Sequence, residues 1–424
     1  MAEKSCTFAT MIANYQTHTC KNGLRIIHRP SASAVIYCGI AVAAGTRHEL
    51  PGEEGLAHFC EHMAFKGTRR RTAVQIINAL EGVGGELNAF TNKEDTVYYA
   101  ATTQEHFRQA VDVLCDIVFC SQYPEHEVEK EREVVCDEIE SYEDSPSELI
   151  FDEFENLLFK GHPLGHNILG TSERVRQYTA DDARQFVKRN YRPDNSIFFV
   201  SGNVNFNRLV RWLDGAFESC EPYETYEANR PYKNFEFTEP LVTSPIIRHR
   251  NTHQAHVMIG ARTFPISDAR RWPLFLLNNI LGGPGLNSRL NLSLRERNGL
   301  VYTVESAMVC YGDTGAWSVY FGCDPHDVKR CCRLVRRELD RLMYSPLSES
   351  QLRRAKQQIR GQLTIAADNR EQSALDFART FLHHGIERQL SGILTRVDAL
   401  TAEQLQLVAR EVFDETRILT LVYE

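Results

Sequence analysis

The spacing of hydrophobic and polar positions divides the chain into segments of two periods. Apolar runs and alternations bounded by turn residues predict strands over 15–30, with the turn residues Lys21, Asn22 and Gly23 inside, and over 34–45. Spacings of three and four predict helices over 53–66, 72–83, 105–120, 125–143 and 147–159, with strands over 86–91 and 96–102. A further helix, a strand over 195–202 and a helix over 205–217 close this half. Residues 218–239 are polar, contain Pro222 and Pro231 and show little periodicity, which predicts an interdomain linker. The order then repeats: a strand over 256–263, a helix over 268–281, a strand pair over 301–310 and 315–323, helices over 326–344, 349–368, 370–384 and 402–413, and a strand over 417–423. The expected fold class is therefore α+β, with two similar domains from an internal duplication, each a mostly antiparallel sheet packed with helices. The predicted boundaries are 1–217, the linker 218–239, and 240–424.

The helix over 53–66 carries the first chemistry. Pro51 and Gly52 precede it, Glu53 and Glu54 fall in its expected first turn, and Lys66 and Gly67 mark its end. At about 100° per residue, Leu56, Phe59, Cys60 and Met63 share one face, and His58, Glu61 and His62 cluster opposite. Two histidines four apart can reach one metal ion, and imidazole nitrogen suits zinc. Glu61 projects to the same side, where a carboxylate can take a proton from metal-activated water and pass it to a leaving amine. H-x-x-E-H is a zinc-peptidase signature; its bland counterpart is two surface histidines beside a solvated glutamate. A third ligand is needed, and the acidic helix over 125–143 offers Glu127, Glu129, Glu131, Glu133, Asp137, Glu138 and Glu140. Glu131 and Glu138 are seven apart and share a face, but residue physics does not choose between these carboxylates. Cys60 lies on the apolar face, which argues against it as a ligand. His253 and His256 fit a strand or loop better than a metal pair.

Composition narrows the classes. Among 424 residues, 48 Lys and Arg face 56 Asp and Glu, a net charge of -8, which gives no general reason to expect nucleic acid or an anionic membrane as partner. The best apolar run, 34–45, falls short of the ~20 residues that span a bilayer. The N-terminus has neither a signal-peptide nor a transit-peptide pattern. The 12 cysteines include no Cys-x-x-Cys pair and read as reduced thiols, so a cytoplasmic location is expected.

The stretch from Gly55 through His58, Glu61 and His62 to Thr68 resembles the zinc helix of the pitrilysin, insulysin and mitochondrial processing peptidase family, the inverzincins. The resemblance covers almost the whole chain, and length and layout are similar to the short bacterial members. It implies a zinc metalloendopeptidase that cuts peptides or unfolded segments in an enclosed chamber, with one Zn2+ per chain. Glu138 stands where that family has its third ligand, and Glu131 matches its additional helix glutamate. Gly84 to Thr91 resembles the family's edge strand, which takes a peptide as an added strand, here through Gly85, Glu86, Leu87, Asn88, Ala89 and Phe90. Arg295 and Tyr302 are similar to a pair that reaches substrate from the far domain and donates hydrogen bonds to it. The glycine-rich stretch from Leu281 to Arg289 resembles the family's glycine loop, a substrate-side wall. Glu148 and Asp152 sit where the processing peptidase has acidic residues that favour basic residues near the cut. The second half has no H-x-x-E-H, and Gln357, Gln358 and Gly361 replace the acidic pair. The resemblance further implies a homodimer, or a heterodimer with a related chain, in which the partner supplies Arg295 and Tyr302. The rival reading is a non-catalytic scaffold or partner subunit of the same fold, which metal content and peptide turnover would separate.

Overall fold

Two sheets with the same strand logic account for the repeated order of elements. The computed structural model describes residues 15–216, 235, 237, 241–250, 252–385 and 389–424. The first half runs β1 (Gln16–Thr19), β2 (Arg25–Pro30), β3 (Val35–Val42), α1 (Leu56–Ala64), α2 (Ala73–Glu81), β4 (Glu86–Thr91), β5 (Thr96–Thr103), α3 (Phe107–Phe119), α4 (Glu125–Glu143), α5 (Pro146–Leu158), α6 (Ser172–Val175), α7 (Ala180–Asn190), β6 (Ser196–Gly202) and α8 (Phe206–Ala216). The second runs β7 (Ile246–Arg248), β8 (Ala255–Thr263), α9 (Arg271–Gly282), β9 (Val301–Cys310), β10 (Gly315–Cys323), α10 (Val328–Tyr344), α11 (Glu349–Ala366), α12 (Arg370–His384), α13 (Leu390–Asp398), α14 (Ala402–Val412) and β11 (Leu419–Tyr423). The strand orders are β1-β2-β6-β3-β5-β4 and β7-β11-β8-β10-β9. In both, one pair is parallel (β2 with β6, β7 with β11) and the rest are antiparallel. The expected α+β fold with two similar sheets is thus present, and β1 is an addition to the first.

Each sheet buries one face under helices of its own half. Ile26, Cys38, Ile40, Tyr98 and Phe198 face one core, and Val257, Val304, Trp317, Phe321 and Val422 the other. The opposite faces are covered by an exchange. Leu149, Ile150, Phe154 and Leu158 of α5, from the first half, pack on Met258, Leu419, Leu421 and Tyr423 of the second sheet. Leu375, Phe377, Phe381 and Leu382 of α12, from the second half, pack on Ile27, Val97, Ile197 and Phe199 of the first. At about 1.5–3 kcal/mol per large apolar side chain buried, each exchanged helix ties the halves together firmly. Of the predicted linker 218–239, only Phe235 and Phe237 lie among the described residues; Phe237 stacks on His162 at 5.4 Å between ring centroids. No helix among the described residues is long and apolar enough to cross a membrane.

Buried polar contacts complete the join. Asp313 binds Arg47 and, at 3.2 Å, His162; Tyr311 donates to Glu155 at 2.9 Å. Asp95 pairs with Arg379 at 3.0 Å and His383 at 2.9 Å on α12. Burial alone would raise the Asp95 carboxyl, but His383, Arg379 and Asn92 outweigh it and hold it down at about 2 against an ordinary 3.8. A depressed folded-state value stabilises above the unfolded value, and that contribution is lost as pH falls from about 4 towards 2; its full size is about 2 kcal/mol. The Asp95→Asn variant is therefore expected to be less stable at neutral pH. Its denaturant midpoint should also fall less steeply than that of the parent chain between pH 4 and 2. Parallel pH profiles would discard the assignment.

Candidate active site

The two histidines sit on α1, and the structure changes how that helix begins. It starts at Leu56, not at the predicted residue 53, because Gly55 adopts a left-handed φ of 94° and forms the N-cap. A Cβ at Gly55 would lie 2.6 Å from the Leu169 carbonyl oxygen, so the close approach also requires glycine. The first-turn N–H groups are capped by Glu49, which accepts from Gly55 at 3.1 Å and Ala57 at 2.7 Å and is itself bonded to His166 at 2.7 Å. Glu53 and Glu54 lie in the preceding turn, where Glu53 accepts from Leu50 N–H and pairs with Arg189. Nor is the face of His58, Glu61 and His62 a solvated one. His58 and Glu61 are buried, since α1 packs against α4, α7 and β4 while Leu56, Phe59, Cys60 and Met63 enter the core. Cys60 is fully buried there, its thiol directed at the Ala183 carbonyl.

On α4, Val128, Val135, Cys136 and Ile139 bury one face, and Glu131 lies on that face too. The helix presents its carboxylates to α1 selectively. Glu138 Oε2 lies 3.5 Å from His62 Nε2 and 3.9 Å from His58 Nε2. Glu131 Oε1 is 2.9 Å from His62 Nδ1, and Glu131 Oε2 is 2.6 Å from Lys66 Nζ. Among the other carboxylates, Glu127 pairs with Lys130, and Glu140 reaches Arg176 at 3.5 Å. One ligand atom each from His58, His62 and Glu138 lies within 4.8 Å of the other two. Burial, then the neighbouring His62, pushes the His58 ring down to about 3, so it is neutral with a free lone pair at pH 7. Its buried Nδ1 has no hydrogen-bond partner among the described residues. Burial would lower His62 as well, but the Glu131 hydrogen bond and the charges of Glu61, Glu131 and Glu138 outweigh it and raise the ring, so the same carboxylates favour positive charge at this position. Two imidazoles, a carboxylate oxygen and an orienting carboxylate behind one ring fit a zinc ion.

Glu61 accepts a hydrogen bond from Thr91 Oγ1 at 2.6 Å. Burial raises its carboxyl above the ordinary range, with Thr91 and His62 pulling the other way. Thr91 ends β4, which among the described residues pairs only with β5 and forms the edge of the first sheet. Glu86 and Asn88 are exposed on it, and Leu87, Ala89 and Phe90 are half-buried. Gly84 supplies a left-handed turn at φ 76°. The tight approach at Gly85 is to this chain's own Ala101 and Leu80 carbonyls, where a Cβ would sit at 3.2 and 3.3 Å. No hydrogen bond, ion pair or ring contact among the described residues links Arg295 or Tyr302 to His58 or His62. Arg295 stacks over the Tyr302 ring at 5.5 Å and lies 3.8 Å from Glu296, and Tyr302 is 80% exposed on the edge strand β9. On α5, Glu148 is exposed, and Asp152 is raised by burial with Lys93 opposing. Thr91 and Lys66 are site residues that the sequence pattern did not single out as such. Lys66 was legible, since it falls four residues after His62; Thr91 was not.

Residues 25–172 match the family described as "Insulinase (Peptidase family M16)", and residues 177–359 match "Peptidase M16 inactive domain". The chain is 33% identical to the uncharacterized zinc protease YmxG of Bacillus subtilis, over 96% of this chain and 97% of that protein. It is also 33% identical to an uncharacterized zinc protease of Streptomyces coelicolor, over 97% of this chain and 90% of that protein. Its fold is similar to the crystal structure of a protease from Helicobacter pylori, with a TM-score of 0.89 at 22% identity over 97% of this chain and 99% of that one.

Proposed function

The chain belongs to the insulinase family, peptidase family M16, and on that premise we propose that it is a zinc metalloendopeptidase acting on peptides or unfolded segments in an enclosed chamber. The observation that carries the reading is the convergence of His58, His62 and Glu138 on one point beside the buried carboxylate of Glu61. His58, His62 and Glu138 would hold a zinc ion, which would supply the Lewis acidity that activates water and polarises a scissile carbonyl. Glu61 takes the water proton and later delivers it to the leaving amine. Desolvation supports this role, because a carboxyl raised towards neutrality exchanges protons in both directions. Glu131 keeps the His62 ring in one tautomer. The edge of β4, which has no second partner strand among the described residues, adds an extended peptide from Gly85 to Phe90 by main-chain hydrogen bonds, and Thr91 ties that strand to Glu61. Arg295 and Tyr302 come from a second copy in a homodimer, as the exposure of Tyr302 and the lack of any contact, among the described residues, between the pair and the histidines support. One catalytic ion per chain is expected, since the second half lacks the motif. The 12 cysteines without a Cys-x-x-Cys pair support a reducing, cytoplasm-like compartment.

The reading is tested by digesting a peptide library with and without a chelator and reading cut sites by mass spectrometry. Chelator-sensitive cleavage is expected, and zinc-loaded protein without turnover would favour a scaffold. A second test addresses Glu131. Glu131→Gln keeps the shape but weakens the orienting acceptor at His62 Nδ1 and the Lys66 pair. Zinc affinity, measured by competition with a chromophoric chelator, should fall by about 10–100-fold. Unchanged affinity would remove Glu131 from the site.

A further inference from the structure

A second group of ligand-type side chains meets at the opposite edge of the first sheet. His18 lies in the edge strand β1, and Cys20 follows that strand by one residue. Residues two apart on an extended segment project from one face, and here that face meets α8. The tight turn after β1, with Cys20 N–H bonded to Leu24 O at 2.8 Å and Gly23 N–H to Cys20 O at 3.0 Å, holds Cys20 in place. On α8, Leu209 and Leu213 are anchored in the first core, which aims the adjoining Asp214 at the strand. Ligand atoms of His18, Cys20 and Asp214 all lie within 4.8 Å of one another. Cys20 is 4% exposed, whereas His18 and Asp214 open to solvent, so the set has one buried corner and a side open to water.

We propose that His18, Cys20 and Asp214 form a second, non-catalytic zinc site that clamps β1 to α8. The donor set of one thiolate, one imidazole and one carboxylate selects zinc over magnesium or calcium, which prefer oxygen alone. The side open to solvent would leave room for water to complete the coordination. The competing chemistry for such a trio is a nucleophilic cysteine, and the electrostatics oppose it. Burial, then the charge and hydrogen bond of Asp214, push the Cys20 thiol up to about 12, so without a cation it stays protonated. A divalent cation displaces that proton and neutralises Asp214 together. Among the described residues a further cluster, Asp324, His326 and Asp327, comes from one turn without a sulfur ligand and carries no comparable argument.

The two sites differ in one spectroscopically useful way: only the proposed one contains sulfur. The full chain, stripped of metal, is titrated with cobalt(II). The expected result is roughly two equivalents bound per chain, with a thiolate-to-cobalt charge-transfer band in the near ultraviolet. Cys20→Ser should lose the band and one equivalent while keeping full peptidase activity, and His18→Ala should lose the same equivalent. A His58→Ala, His62→Ala chain should keep the band, so failure of the catalytic reading and of this one remain distinguishable. Circular dichroism checks the fold of each variant. One equivalent in the parent chain with no such band, or a band that survives Cys20→Ser, overturns the proposal.

Discussion

Glu61→Gln is expected to stop peptide hydrolysis while leaving the metal bound. The amide is the same size as the carboxylate and can still accept from Thr91 Oγ1, so neither α1 nor its join to β4 should move. It cannot accept and return a proton. General acid–base groups contribute about 10²–10⁴-fold, and a residue serving both steps should lie near the upper end, so kcat should fall by about 10³-fold or more. The ligands His58, His62 and Glu138 are untouched, and zinc per chain by mass spectrometry should equal that of the parent. Stability gives a separate check. Because burial raises the Glu61 carboxyl, its ionised form is costly in the fold, and a neutral amide should leave Tm unchanged or slightly higher. Turnover within a few-fold of the parent, at equal zinc content, would show that Glu61 is not the base.

What the sequence revealed of this site follows the range of the interactions involved. His58 and His62 are legible because their relation is local: an i, i+4 spacing on any helix brings two rings together. The start of α1 was misread because its cap is Glu49, supplied by the preceding loop, and because the left-handed Gly55 is dictated by the approach of Leu169. Glu138 could not be separated from its neighbours by helix physics, since a helix this acidic offers carboxylates on every face; only packing of α4 on α1 puts two of them at the rings. Thr91 escaped for the same reason, as its role depends on the end of a strand meeting a helix thirty residues earlier. The repeated order of elements predicted two similar domains. The exchange of α5 and α12 was not legible, because an amphipathic helix declares that it has an apolar face and not which sheet will cover it. Chain segments and structural layers therefore divide the molecule differently.

Two inactive chains are expected to restore each other's activity. In one chain Glu61→Gln removes the base and leaves Arg295 and Tyr302; in the other, Arg295→Ala with Tyr302→Phe removes the far wall and leaves the base and ligands. Alone, the second chain should lose about 10²–10³-fold in kcat, the usual cost of removing a donor to developing negative charge. Tyr302 is exposed with Arg295 stacked on it, and among the described residues neither contacts the histidines of its own chain, which is the arrangement expected of a contribution in trans. In a symmetric dimer each site then combines one chain's α1 with the other chain's β9 and the turn of helix before it that carries Arg295. A mixed dimer, isolated through two different affinity tags, has one intact site and one doubly defective site. It should show about half the wild-type activity, and an unselected mixture about a quarter, because only half of randomly paired dimers are mixed. Light scattering establishes that the species is a dimer. If purified mixed dimers stay as inactive as their parents, Arg295 and Tyr302 act within their own chain, and the site must close by bringing β9 to α1 in the same molecule. If the Arg295→Ala, Tyr302→Phe chain is active alone, the pair has no part in hydrolysis.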